Sequence, residues 1–333
     1  MRWVKLILVI SAFLAAINIY FGVLLYAQYK NTYLIDDSII DDAIALLEEE
    51  SIIVSRSAVS GKKPVYPVYE GDFLNNEEDY YKSIAARLSG ADVTEDLSVH
   101  MINNGIRIIN GVNGDTFDFL GNNIFSVNYY RGGNTIAADY LGGAEALMYD
   151  AKTQAYGDTG EILNVWLYGN KNGYRYGTSN KYLKTKIKKI YIDRDTGETV
   201  LSAVLELEGI EICGTEISAV IKDNIPEYLS GYVIFAPLNS SYKVDLLDQV
   251  NILFSERAYI KEQKFELEFS LDTPSATAAS LPREHILSAL KSVYCVSWNE
   301  SRDKFFLIPA WLIEYNGEIV RIRNAINGIL YTI

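Results

Sequence analysis

Histidine and cysteine are nearly missing from this chain: His100, His285, Cys213 and Cys295 are the only ones among 333 residues. A zinc site draws on several such ligands, and a Ser-His-Asp triad needs a histidine in a cleft. The sequence is therefore read as holding no metal and no catalytic residue. His100, in the strand-like VHMI, and His285, early in a helix-like run, are taken as structural. The cysteines sit in the strand-like EICGTE and VYCVSW. Two cysteines define no disulfide framework, so a bond between them and a pair of buried free thiols both stand as readings.

Other signals are missing too. No GxxxxGK[ST] and no GxGxxG at a strand–helix junction occurs, so no phosphate cradle or nucleotide cofactor is expected. Acids outnumber bases 43 to 30, a net charge of −13. That excludes nucleic acid, whose binding depends on Lys and Arg neutralising phosphates, and a soluble face that adheres to anionic lipid. The run Asp193-Arg194-Asp195-Thr196-Gly197 imitates a calcium loop, but the template needs Gly sixth and Glu twelfth, where Glu198 and Val204 stand. It is read as a hairpin turn. So many carboxylates offer no reason to single out two for acid–base work, and the chain is read as not an enzyme.

What is present begins with residues 6–27, LILVISAFLAAINIYFGVLLYA, an uncharged run. A bilayer takes roughly 20 helical residues, whereas a cleaved signal has an apolar core of about 7–15. The expectation is an uncleaved transmembrane signal anchor. Arg2 and Lys5 precede it; after Lys30 no Lys or Arg appears until Arg56. Positive-inside reasoning puts residues 1–5 in the cytoplasm and the bulk of the chain outside the cell membrane. Within the span, Ser11, Ala15, Asn18 and Gly22 share one helix face. Small residues let a second helix approach, and a mid-membrane Asn can hydrogen-bond across the contact. They are the candidate partner-binding face.

An apolar content of 49%, aromatic content of 12% and only seven prolines rule out disorder for the rest. The predicted class is α+β: one N-terminal transmembrane helix, then two extracytoplasmic lobes of antiparallel sheet with packed helices, at 31–155 and 160–333. The boundary falls in the small, polar QAYGDTGE, residues 154–161. In the first lobe DDSIIDDAIALLEEE predicts a helix burying Ile39, Ile40, Ala43, Ile44 and Leu47. Glu48, Glu49 and Glu50 at its end are either solvated or a patch that meets a basic partner. Strands follow around Pro64 and Pro67, then a helix at NEEDYYKSIAARL, hairpins from Val99 to Tyr130, and a helix around Ile136–Tyr149. The second lobe opens with strands at 162–169 and a hairpin at KKIYIDRDTGETVLSAVLEL. A helix bearing Leu246, Leu247, Val250, Leu253 and Phe254 follows, then another at PREHILSALKSV. The close is a three-strand meander, with Trp311, Ile313 and Tyr315 on one face and turns at Asn316-Gly317 and Asn327-Gly328.

That closing segment, "PAW" then "NG" then "NAINGIL", resembles the end of YycH/YycI-type regulatory proteins, whose terminal lobe is PepSY-like. The middle segment FAPLNSSYKVDLLDQVNILFSE resembles the YycI branch, and the start is similar in layout. The resemblance implies a Gram-positive membrane protein that modulates a sensor histidine kinase of a two-component system controlling cell-wall metabolism, often beside a sister YycH-type protein. It brings no catalytic residue and no cofactor. Two other readings stand: an anchored cell-envelope hydrolase, and a PepSY-like ligand-binding or inhibitory module.

Overall fold

In a computed structural model, residues 2–72, 78–90, 96–103, 105–120, 126–133, 148–150, 153–176, 181–193, 198–235, 238–258, 285–299, 304–315 and 318–331 are described, the side chains of 2–10, 12, 31, 32, 148–150, 153–157, 176, 181, 193, 285, 299 and 318–320 excepted. The chain is α+β and dominated by sheet. It divides into two compact units, each assembled from separated stretches. The first takes residues 1–66, 243–292 and 309–333; the second takes 67–242 and 293–308. This corrects the expectation of successive lobes at 31–155 and 160–333.

The first unit opens with α1 (Arg2–Tyr33) and α2 (Asp37–Glu48). Asp36 caps α2, its side chain accepting the N–H of Ser38. Ile40, Ala43 and Leu47 are buried, while Ile39 at 49% exposure turns outward. The strand β1 (Ile52–Val54) follows and pairs in parallel with the start of β15 (His285–Asn299). A helix at 249–258, α5, adds Val250, Ile252 and Leu253 to the same core. Leu246 and Leu247 precede this helix, and Phe254 is exposed, so its apolar face is narrower than expected. The core is completed by Trp311, Ile313 and Tyr315 of β16 (Lys304–Tyr315), the face that alternation predicts. β16 pairs antiparallel with β17 (Glu318–Asn324), and β17 with β18 (Leu330–Tyr331). The three-strand meander is thus observed. Tyr315 stands opposite Glu318, and the expected turn Asn316-Gly317 lies outside the described residues. Gly328, at φ 73°, turns the chain back to β18.

The second unit is built on β2 (Val68–Asp72), α3 (Glu78–Ser89), β3 (Leu97–Ile102), β4 (Gly105–Asn110), β5 (Thr116–Leu120), β6 (Ser126–Tyr130), β7 (Met148–Asp150), α4 (Thr153–Tyr168), β8 (Tyr174–Tyr176), β9 (Lys181–Asp193), β10 (Thr199–Leu207), β11 (Ile210–Cys213), β12 (Ile217–Lys222), β13 (Ile225–Tyr232) and β14 (Leu238–Tyr242). An antiparallel sheet runs β3-β4-β5-β6-β13-β12-β10-β9, and the far edge of β9 is shared by β7 and β8. The helix α3 lies against β3 and β4, and α4 against β9. Rings tie these layers: Tyr81 of α3 to Phe119, Phe117 to Tyr129, and Tyr129 to Trp166 of α4, with centroids 4.8–4.9 Å apart.

Several expectations differ from the structure. PREHILSALKSV is no helix from His285 onward: β15 runs there, paired in parallel with β1 and then with β11. These two parallel pairs also correct the purely antiparallel expectation. The supposed linker 154–161 lies inside α4. Within it Thr159 is buried, and so is Asn164 further along the helix, both under 8% exposed. The Thr185 N–H and Oγ1 on β9 both donate to Asn164 Oδ1, at 2.8 and 2.9 Å. Of the stretch 162–169, expected as strand, residues 162–168 are the rest of that helix. Of the helix expected around Ile136–Tyr149, residues 136–147 lie outside the described residues, and the end falls in the strand Met148–Asp150.

Candidate functional site

Ser11, Ala15, Asn18 and Gly22 all lie on α1, spaced so that one side of the helix carries them, and all four are exposed. Among the described residues a methyl at Gly22 would meet nothing within 4 Å. Around them Phe13, Ile19 and Leu25 are 65–67% exposed. Among the described residues no helix is long and apolar enough to cross a membrane. The first part of the run 6–27 falls on side chains outside that set.

The acids after α2 find their basic partner within the chain. Arg257 of α5 lies 3.3 Å from both Glu49 and Glu50. One residue earlier, Glu256 is fully buried and accepts from Arg323 Nε at 2.6 Å, Arg321 Nε at 3.0 Å and the Tyr315 hydroxyl at 3.1 Å. Arg323 also donates to the Gly328 carbonyl at 2.9 Å. Sequence reading misses this cluster, although arginines alternating through IVRIR beside a buried strand were its signal. The cluster pins α5 to the meander and holds no nucleophile.

The second unit holds a groove of 660 Å³ along α4. Asp158, Glu161, Ile162, Val165 and Trp166 line one side; Lys171, Asn224, Ile225 and Pro226 line the rest. Its far wall is the β12–β13 turn, where Asp223 and Asn224 take φ 50° and 64°, as such two-residue turns require. The two carboxylates sit one helical turn apart, and both are exposed. The rest of the lining is mostly apolar.

The basic segment of β9 is neutralised internally: Lys184 meets Glu206, and Lys186 and Lys188 meet Glu211, at 2.5–3.0 Å. Among the described residues no group of His, Cys, Asp or Glu could hold a metal ion. His100 is exposed on β3 beside Ser98, and the backbone of His285 begins a strand rather than lying in a helix.

No family model matches the chain, and no curated protein matches it.

Burial also sets an alkaline limit on this unit. It pushes the Tyr80 phenol up to about 12, against the opposing Arg87 cation, and it raises Tyr168 as well. A folded-state value above the unfolded one, about 10, means stability is full below that pH. It is lost as pH rises through the folded values. Among the described residues the Tyr80 and Tyr168 hydroxyls are buried without a hydrogen-bond partner. Tyr168→Phe is therefore expected to gain about 1 kcal/mol at pH 8, by removing an unsatisfied donor. The gain should widen above pH ~10, where the wild-type phenol must stay protonated to remain folded. Urea unfolding across a pH series measures both; a loss of stability at pH 8 would overturn the prediction.

Proposed function

We propose that the chain is a membrane-anchored accessory regulator that modulates a sensor histidine kinase of a two-component system. The observation that carries this reading is α1. From Ser11 onward it leaves Phe13, Leu14, Ile19, Phe21 and Leu25 more than half exposed. Apolar surface on that scale is stable when lipid or a partner covers it. The uncharged run, the flanking Arg2, Lys5 and Lys30, and the exposed face of Ser11, Ala15, Asn18 and Gly22 fit a single span that packs against a kinase helix.

The kinase as partner, an extracytoplasmic bulk and a sister YycH-type protein come from the resemblance of the closing and middle segments. In this reading the face on α1 biases the kinase between two states. A coupling of about 1–3 kcal/mol, a 5–150-fold bias, is the usual size. A second reading, a ligand-binding or inhibitory module, draws on the groove along α4, whose walls Ile162, Val165, Trp166 and Ile225 suit an apolar segment. The envelope-hydrolase reading draws less support, since Asp158 and Glu161 are both exposed.

The test is co-purification from the native membrane in mild detergent. The tagged chain is expected to recover a sensor kinase, and Asn18→Leu with Gly22→Leu to lower that recovery at least tenfold while circular dichroism of the outer units is unchanged. Kinase recovery unaffected by the double variant would remove the α1 face. Failure to recover any kinase, with other membrane complexes intact, would favour the binding-module reading.

A further inference from the structure

We propose that Cys213 and Cys295 are a redox-active pair that closes a disulfide between β11 and β15. They stand 82 residues apart and are the chain's only cysteines. The fold nevertheless sets them in register: in the parallel pairing of β11 with β15, Ile212 faces Tyr294 and Cys213 faces Cys295. In-register residues on neighbouring strands project from the same face, with backbones about 4.8 Å apart. That lies inside the window of about 4.4–6.8 Å between Cα atoms that a disulfide requires. Both thiols are free, and they hydrogen-bond to each other.

The two sulfurs are not equivalent. Cys213 is half-buried, whereas Cys295 is only 6% exposed. The hydrogen bond with Cys295 lowers the Cys213 thiol below its ordinary value. Burial, Glu211 and Glu216 oppose this, and Lys188 assists it. The same hydrogen bond, and then burial, raise Cys295. Cys213 is thus the entry thiol, since thiolate character and access govern attack on a disulfide.

The oxidant is a small-molecule or protein disulfide, RS–SR. The Cys213 thiolate attacks one of its sulfurs, forming a mixed disulfide and releasing one thiolate. Cys295 then loses its proton, its sulfur attacks Cys213 Sγ, and the second thiolate leaves. The balance is two cysteine thiols and RS–SR giving one protein disulfide and two RSH. The bond would staple a junction in which only Ile212 and Cys213 of β11 pair with β15. This inference does not rest on the regulatory reading and fails or stands separately from it.

The test treats the full chain, in detergent, with oxidised glutathione. Expected are loss of both free thiols, a cross-linked peptide pair containing Cys213 and Cys295, and a melting temperature higher by about 5–10 °C. Dithiothreitol should reverse all three. In Cys295→Ser, glutathione should stay on Cys213 for want of a resolving thiol. Two free thiols persisting in the wild type, or glutathione retained on either, would overturn the proposal. The wild-type thiol count stands even if the variant does not fold.

Discussion

Glu256→Ala is expected to cost about 3–5 kcal/mol, the usual penalty for removing one partner of a buried ion pair. The carboxylate is fully buried, and it is the acceptor for two guanidinium groups and a phenol. Truncation would leave Arg323, with 8% of its side chain exposed, and Arg321, with 18%, facing each other without the intervening charge. Desolvated like charges are more costly than the lost hydrogen bonds alone. Glu256→Gln keeps one acceptor oxygen and should fall between the two. Hydrogen exchange in α5 and in β16 to β18, combined with urea unfolding, would read the effect. A loss under about 1 kcal/mol would mean that water reaches the cluster and that it does not anchor the meander.

Gly231→Ala should destabilise the second unit by about 3 kcal/mol or more, combining backbone strain with overpacking. Gly231 on β13 takes φ 151° opposite Ile217 of β12. A methyl there would run into the Glu216 carbonyl oxygen and come within 2.7 Å of Ile217 Cα. Both obstacles are backbone, the Glu216 carbonyl accepting from the Tyr232 N–H and Ile217 paired within β12, so neither can rotate away. Gly209→Ala is the control: φ is 83°, but among the described residues nothing lies within 4 Å of the added carbon. It should show the conformational cost alone, about 1 kcal/mol. Equal losses for the two variants would show that contact with β12 is not what requires glycine at 231.

The meander was legible because its signals are local. Alternating apolar residues from Trp311 and the turn around Gly328 determine their own pairing over 20 residues, as do the hairpins of β3 to β6. β15 was not legible, because Leu287, Leu290 and Val293, the buried positions, recur every third residue and imitate a helix face. Its strand character comes from partners far away in sequence, Ile52–Val54 and Ile212–Cys213. The division into units left no compositional trace either. Gly160 and Asn164 accept hydrogen bonds from Thr185 across the α4–β9 contact, and Gly160 falls in the small, polar stretch that a reader of sequence takes for a linker. Of the candidate sites, the spacing of Ser11, Ala15, Asn18 and Gly22 was readable from helical period alone. The groove was hidden, because its walls come from α4 and the β12–β13 turn, some 60 residues apart.

The threading of the chain through its two units has a consequence for synthesis. The stretch that adjoins α1 ends at Tyr66, yet the core that covers Ile40 and Leu47 needs Trp311 and Ile313. At ~5–20 residues per second, a ribosome takes roughly 12–50 s to travel from one to the other. Through that interval the apolar face of α2 has no permanent cover, while residues 67–242 can already fold behind it. The unit that contains α1 is the last to be finished, so a prematurely terminated chain would carry α1 but lack the closed core of its unit.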